Sequence, residues 1–561
     1  MNIESAVSKE LVITQVKPPT SSRVRTGIVE RFESLPSAED VNVSSSVTGP
    51  FQLVPRPPSQ DGWRLRVHEG LRRIGRRRQQ AKPQPAYGSA IAVIPAFEKE
   101  DEIAETIKSL LTQRRALEKI VIVINGPGKV DTAYQDALPF ALEFPGLVIV
   151  ERPDSINGVD FVHATEFDTD EFDDEISHSA KRITRGGKVK ALNWAFRKYG
   201  ASGKYTYWLG VDADVVADPN MVMHLEKELV NNTLNTLGVM ARYGFLYPDD
   251  MKKKSRILLM GQRHEFAMTN IRHILRGYNT DILGGQATLF SVHALRKIAY
   301  KSEGSVPWSV KSKVEDAELT RAGQALSLAT RVSVSARAWT GAMYNGHSFH
   351  NQRRKWQDGH LEDMLRDFRP WKDRRRWFDQ AVIGWNLAIR LMFVTLVTSS
   401  LYFNQLVMDP IWLIPIGLAI LQSTLVAIKI PQRRLGEVIQ AMLFFPGEIY
   451  YWRTLSVWLE SIVLAFFSVS RDGWGNQDKA ESSKKKRNIS GWLTISATAI
   501  GLFLLSTTVG TKVTELTGSP ELVSRALEYS WYALMAMTLV SVTGMIILCF
   551  RIITNYRVLK P

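Results

Sequence analysis

The chain changes character near residue 380, and this limits what it can fold into more than any other feature. Before that point charged and apolar residues are mixed. After it come four apolar segments, about 386–407, 410–428, 490–510 and 530–550, each long enough to span a bilayer. Lys429, Arg433 and Arg434 follow the second, Lys484 to Arg487 precede the third, and Arg551, Arg557 and Lys560 follow the fourth. The positive-inside rule puts all three clusters, and with them both termini and the region before 380, on the cytoplasmic side of a cell membrane. Between the second and third spans, 437–469 is rich in aromatic residues yet carries Glu448, Arg453 and Glu460. It is too short for two further full spans, so interfacial or re-entrant helices are expected, with a short hairpin as the alternative. Arg390 falls inside the first span, where it either snorkels to the surface or lines a polar path.

The stretch 87–375 reads as an α/β domain. The segments at 90–96 (AIAVIPA) and 119–125 (KIVIVIN) are apolar runs suited to buried strands. Ile103, Ile107, Leu110 and Leu111 lie between them at helical spacing, giving a β-α-β unit with a parallel sheet. A further strand is expected over 205–214 (YTYWLGVDAD). Residues 1–86 are polar, with no leader pattern at the start. Within them Trp63, Leu65, Val67, Leu71 and Ile74 alternate with arginines, fitting either a helix on an anionic membrane face or a solvated helix packed on the next domain. The acidic run 165–175 lacks the glycine of a calcium loop and reads as solvated. A single cysteine, Cys549, excludes a disulfide framework and a multi-cysteine zinc site.

The chemistry lies in short polar segments spread along this domain. Asp212-Ala213-Asp214 closes an apolar strand, where hard oxygen ligands suit Mg²⁺ or Mn²⁺. Upstream, Gly186-Gly187-Lys188 offers close backbone approach and a cation for a phosphate, or simply a turn that opens a helix. Downstream, Gly284-Gly285 is a second flexible pair. Glu315 and Asp316 open a helix, where acids complement the helix dipole or act as a general base. Last comes Gln352-Arg353-Arg354-Lys355-Trp356, cations beside an indole.

In this order, and followed by spans, these segments resemble the membrane-embedded family 2 glycosyltransferases, which include cellulose, chitin and hyaluronan synthases. The resemblance implies a GT-A α/β catalytic domain with a mixed, mainly parallel sheet and helices on both faces, then a helical membrane region. It implies a nucleotide-diphosphate sugar donor, with UDP expected, and a growing glycan extruded by a processive, inverting β-glycosyltransferase. Pro95, Ala96 and Glu98 match the family's first nucleotide-binding segment, and Asn125 stands where an acid often faces the base. Lys188 matches the lysine of the Gly-Lys-x-x-Ala-Leu-Asn motif, and Asp212 and Asp214 match the metal-binding pair. Glu315 and Asp316 match the Thr-Glu-Asp motif, with Val314 replacing Thr and Asp316 falling on the catalytic base. Gln352 to Trp356 matches the Gln-x-x-Arg-Trp motif, with Lys355 replacing Arg on the diphosphate and Arg354 or Arg353 able to compensate. The resemblance assigns Trp356, with Gln352, Gly284 and Gly285, to the acceptor. Trp474 and Gly475, in the connection 470–488, look like a gating loop that enters over the donor.

Two readings compete with the synthase. The same site could add one or a few sugars to a lipid-linked or protein acceptor. The net charge of +15 would also suit a nucleic-acid adaptor, but that leaves the ordered acidic motifs unexplained, so nucleic acid is not an expected partner. Four spans, all after the catalytic domain, are few for a channel and call for a second subunit, a homo-oligomer among the options.

Overall fold

The computed structural model describes residues 88–126, 131–153, 187–230, 235–246, 253–310, 312, 314–366, 374–405, 410–466, 490–556 and 558–559. The N-terminal 86 residues, the acidic run 165–175, Gly186 and the loop 470–488 with Trp474 and Gly475 lie outside them.

An eight-stranded mixed sheet forms the first half. In chain order its elements are β1 (Ala90–Phe97), α1 (Ile103–Leu111), β2 (Lys119–Asn125), α2 (Thr132–Glu143), β3 (Val148–Glu151) and α3 (Gly187–Ala195). They continue with β4 (Tyr207–Gly210), β5 (Val215–Ala217), α4 (Met221–Leu229), β6 (Thr236–Phe245), α5 (Lys253–Leu275) and β7 (Thr288–Ser291). The half closes with α6 (Val292–Lys301), α7 (Glu315–Ala325), β8 (Ala329–Thr340) and α8 (Gly346–Arg366). The strand order is β3-β2-β1-β4-β7-β6-β8-β5. β3, β2, β1 and β4 run parallel, β7 is antiparallel to both its neighbours, and β8 pairs parallel with β6 and antiparallel with β5.

Successive side chains of a strand point to opposite faces, and β1 shows the consequence. Ala92 and Ile94 pack with α1, α2 and α4, while Ile91 and Val93 pack with α3, α6 and Trp208. Helices therefore cover both faces. All four β1 side chains are completely buried, and each Ile contributes roughly 1.5–3 kcal/mol by leaving water. The strand order reverses at β1, which has β2 on one side and β4 on the other. Such a switch leaves a crevice beyond the carboxyl ends of the strands, a general ligand position in open α/β sheets.

The expected strand over 205–214 is shorter than the sequence suggested. β4 stops at Gly210, and Ala213 and Asp214 form a turn before β5. The acidic pair therefore sits on a bend, where strand alternation no longer fixes the direction of its side chains.

The second half is helical: α9 (Arg374–Tyr402), α10 (Leu413–Ala427), α11 (Leu435–Met442), α12 (Phe444–Phe466), α13 (Ser490–Thr517) and α14 (Pro520–Thr554). Among the described residues four helices are long and apolar enough to cross a membrane: 374–402, 410–427, 493–517 and 520–554. Only 11–22% of their most apolar windows is buried against protein, so most of their surface faces outward. α11 and α12 are not among the four: α11 has only 8 residues, and α12 carries Glu448, Arg453 and Glu460. Glu437 holds Arg263 of α5 at 2.5 Å, and Glu460 holds His350 at 2.9 Å and Arg354 at 3.0 Å, both on α8. Glu448 pairs with Arg390 of α9 at 2.5 Å, with the Arg390 guanidinium 4.4 Å from the centre of the Tyr451 ring. Arg390 is thus paired within the protein, with Glu448 of α12. The pairs made by Glu437 and Glu460 fasten the sheet domain to the helical half, and the Glu448 pair joins α12 to α9.

Candidate active site

One cleft of about 1660 Å³ opens at the strand-order switch and reaches α9 and α12. The ends of β1 and β2 form one wall. Pro95 and Glu98 line it, whereas Ala96 points into the core and offers its carbonyl to Asn125 Nδ2 at 2.8 Å. Asn125 also lines the cleft and packs on the start of α3. A Cβ at Gly187 would lie 2.2 Å from Asn125 Oδ1, so only glycine allows this approach.

Lys188, in the first turn of α3, ties the wall together. Its Nζ is 2.7 Å from Asp212 Oδ1 and 2.7 Å from Glu315 Oε1. These two carboxylates, 103 residues apart in sequence, are therefore within twice that distance of one another. A Cβ at Gly285 would fall 2.9 Å from Lys188 Nζ and 3.0 Å from Asp212 Oδ1, so the second glycine pair gives this cluster its space. Asp214, on the same bend, accepts a hydrogen bond from Thr340 Oγ1 of β8 at 2.7 Å. Asp316 follows Glu315 in the first turn of α7 and accepts from the backbone N–H of Ala317 at 2.8 Å. Asp212, Asp214, Glu315 and Asp316 all line the cleft.

Burial and neighbouring charges assign these groups different protonation behaviour. Burial opposes the charge on Lys188, but Asp212 and Glu315 outweigh it and hold the ammonium well above its usual pKa. Burial also opposes the charge on Glu315, yet Lys188 and Lys355 pull it below the carboxylate range. At Asp316 the pull of Lys188 is outweighed: burial, then the charge of Glu315, pushes it up to about 6. Burial and the charge of Asp212 likewise raise Asp214 to about 6. Adjacent acids with separated pKa values suit one for a fixed charge and the other for moving a proton. Burial pushes Lys355 down to about 7, against the pull of Glu315.

On α8, Gln352, Arg353, Lys355 and Trp356 line the cleft. Gln352 Oε1 is buried without a hydrogen-bond partner, an acceptor left for a ligand. Arg354 is not on the lining; it pairs with Glu460 at 3.0 Å and Asp358 at 3.3 Å. Four consecutive helical residues cannot share one face, and the Arg354 side is the one that docks α12. Gly284 and Gly285 lie in the lining, next to Tyr243.

Sequence reasoning missed several wall residues. Tyr243 and Phe266 meet at a tilt with ring centres 5.1 Å apart, and Glu102 approaches Gly341 beside Asp214. Ile383 of α9 and Tyr451, Leu455 and Trp458 of α12 close the far end. They belong to no motif, and only the docking of α9 and α12 brings them to the cleft.

Among the described residues no group of three or more His, Cys, Asp or Glu forms a ready metal cage. Asp212 and Asp214 still fit a hard divalent cation. Mg²⁺ is commonly held by one or two carboxylates with substrate phosphates completing its shell, and the mutual repulsion of this pair favours a cation between them.

No protein-family profile matches the chain, and no curated protein matches it. Among solved structures it is similar to a mannosyltransferase from Pyrobaculum calidifontis in complex with GDP-Man and Mn²⁺. That pair is 12% identical, covers 79% of this chain and 96% of the other, and has a TM-score of 0.34. It is also similar to a mycobacterial protein at 18% identity, over 46% of this chain and 67% of the other, with a TM-score of 0.27.

Proposed function

We propose that this chain is a membrane-embedded, metal-dependent glycosyltransferase of the GT-A, family 2 type. In this reading it moves a sugar from a nucleotide-diphosphate donor, with UDP expected, to a growing glycan with inversion at the anomeric carbon. The observation that carries it is the meeting of Asp212, Asp214, Lys188, Glu315, Asp316 and Lys355 in one cleft that abuts the membrane-side helices. Pro95, Glu98 and Asn125 would hold the nucleoside end. Asp212 and Asp214 would hold Mg²⁺ or Mn²⁺, which when bound neutralises charge on the diphosphate leaving group.

Lys188 and Lys355 would face the same diphosphate, Lys355 as a point charge and not as a bidentate clamp. Asp316 would accept the proton from the acceptor hydroxyl as that oxygen attacks the anomeric carbon. The C–O bond to the diphosphate breaks in the same displacement, so no covalent intermediate is needed. Glu315 would keep Lys188 in place. Trp356 would support the acceptor sugar by stacking, and Gln352 would bond to one of its hydroxyls. The sheet domain, 87–375, would lie in the cytoplasm at the inner face of the cell membrane and receive the gating loop of Trp474 and Gly475.

The test is purified protein in detergent with a panel of nucleotide sugars and Mg²⁺ or Mn²⁺, reading released nucleotide and product size. A long glycan supports the processive reading, and a product of one or a few sugars on a lipid or protein supports the shorter reaction. No release from any donor refutes both.

A further inference from the structure

Arg353 stands apart from the other cations of the cleft because its surroundings are aromatic. Its guanidinium carbon lies 4.5 Å from the centre of the Trp356 ring, 5.1 Å from Phe349 and 5.5 Å from Phe266. A planar cation stacks on such faces, and the attraction strengthens when water is excluded. Arg353 is 6% exposed, so water is excluded here. Its Nη2 is 2.8 Å from Glu265 Oε2 of α5. The Tyr450 hydroxyl of α12 donates to the same oxygen at 2.5 Å.

Tyr450 reaches Glu265 through a groove in α5. A Cβ at Gly261 would lie 2.3 Å from the Tyr450 ring, so glycine there is what lets α12 approach. The Tyr450 ring also packs on Phe349 at 5.4 Å. Three helices, none adjacent in sequence except through long connections, thus converge on one guanidinium.

We propose that Arg353 is a positioning residue for Trp356 and that Glu265 and Tyr450 make the acceptor platform depend on the docking of α12. Arg353 lies against the indole of Trp356, which packs on the apolar cluster of Phe245 and Phe266 and lines the cleft, so the guanidinium limits how the ring can tilt. Glu265 fixes the guanidinium plane, and Tyr450 fixes Glu265. A sugar stacks through its C–H face, so a tilted indole loses acceptor contact while the donor cluster around Lys188 and Asp212 is untouched. α12 also carries Trp458 and Leu455 at the far end of the cleft. Its seating therefore sets the acceptor path at two points. This proposal rests on the glycosyltransferase reading, and it adds which residues set acceptor affinity.

The experiment uses the full chain in detergent, the donor found by the panel above, and that donor's own monosaccharide and disaccharide as acceptor probes. Arg353→Lys keeps the charge beside Glu265 but loses the planar face. It should raise acceptor KM by about tenfold, more than it changes donor KM. Tyr450→Phe, whose side chain is outside the cleft lining, should raise acceptor KM by about threefold and leave donor KM and slow hydrolysis of the donor by water unchanged. In a Trp356→Ala background Arg353→Lys should have no further effect on acceptor KM, because the two act through one platform. Full rescue by Lys, equal shifts in donor and acceptor KM, or additive effects with Trp356→Ala would overturn the positioning role. A wild-type chain that consumes no donor overturns the reading beneath it, and the proposal with it.

Discussion

Lys355 offers the most quantitative check on the donor site. Burial pushes its ammonium down to about 7. At about pH 7 roughly half of the molecules carry the proton, and at about pH 8 roughly a tenth do. A bound diphosphate favours the charged form, so binding takes up a proton over this interval. The dissociation constant of an intact nucleotide sugar should rise about fivefold from pH 7 to pH 8, or ~1 kcal/mol. Asp214 and Asp316, both near 6, are already largely ionised there and add little slope. The donor must be intact, because a free nucleoside diphosphate titrates in the same range. Isothermal titration calorimetry in buffers of different ionisation enthalpy reads the proton directly. Lys355→Arg, which stays charged throughout, should abolish both the slope and the uptake. A flat profile in the wild type, or the same slope in the Arg variant, would refute the assignment of Lys355 to the diphosphate.

Other predictions concern the carboxylates and the glycine beside them. Asp316→Asn should abolish transfer while donor binding survives, and in the wild type kcat should fall as pH drops through about 6, where the base gains its proton. The folded state holds that proton more tightly than the unfolded chain, so ionising Asp316 costs stability as pH rises; the Asn variant should melt no lower than wild type near neutral pH, read by calorimetry. Asp214→Ala should remove the dependence of donor binding on Mg²⁺ or Mn²⁺, seen as equal affinity with and without chelator. Gly285→Ala places a methyl within 3.0 Å of Asp212 Oδ1 and 2.9 Å of Lys188 Nζ, and should weaken donor binding by at least tenfold with an unchanged circular-dichroism spectrum.

Much of the architecture was legible because local physics sufficed. Apolar runs at 90–97 and 119–125 had no stable place except a buried sheet, and both became strands. The four long apolar segments were equally plain, since length and lack of charge decide whether a helix can cross a bilayer. Glu448, Arg453 and Glu460 marked 437–469 as something other than two spans, and both glutamates proved to hold a cation of a neighbouring helix. The fate of Arg390 was not legible, because its partner Glu448 is 58 residues away and nothing local joins them.

The candidate site divides in the same way. Residue type and order marked Asp212, Asp214, Lys188, Glu315, Asp316 and Trp356 as chemically capable, and the glycine pairs at 186–187 and 284–285 marked where backbone could come close. Order along a chain cannot say which side of a helix faces a ligand once neighbouring elements compete for it. α12 claimed Arg354, leaving Arg353 and Lys355 to the cleft. Nor can it set a pKa: Glu315 and Asp316 are adjacent acids, and it is burial of both, with Lys188 and Lys355 against Glu315, that drives their proton affinities apart. Composition and pattern act over a few residues at a time, whereas burial, charge pairing and the docking of α9 and α12 onto the sheet domain arise from contacts between segments far apart in sequence.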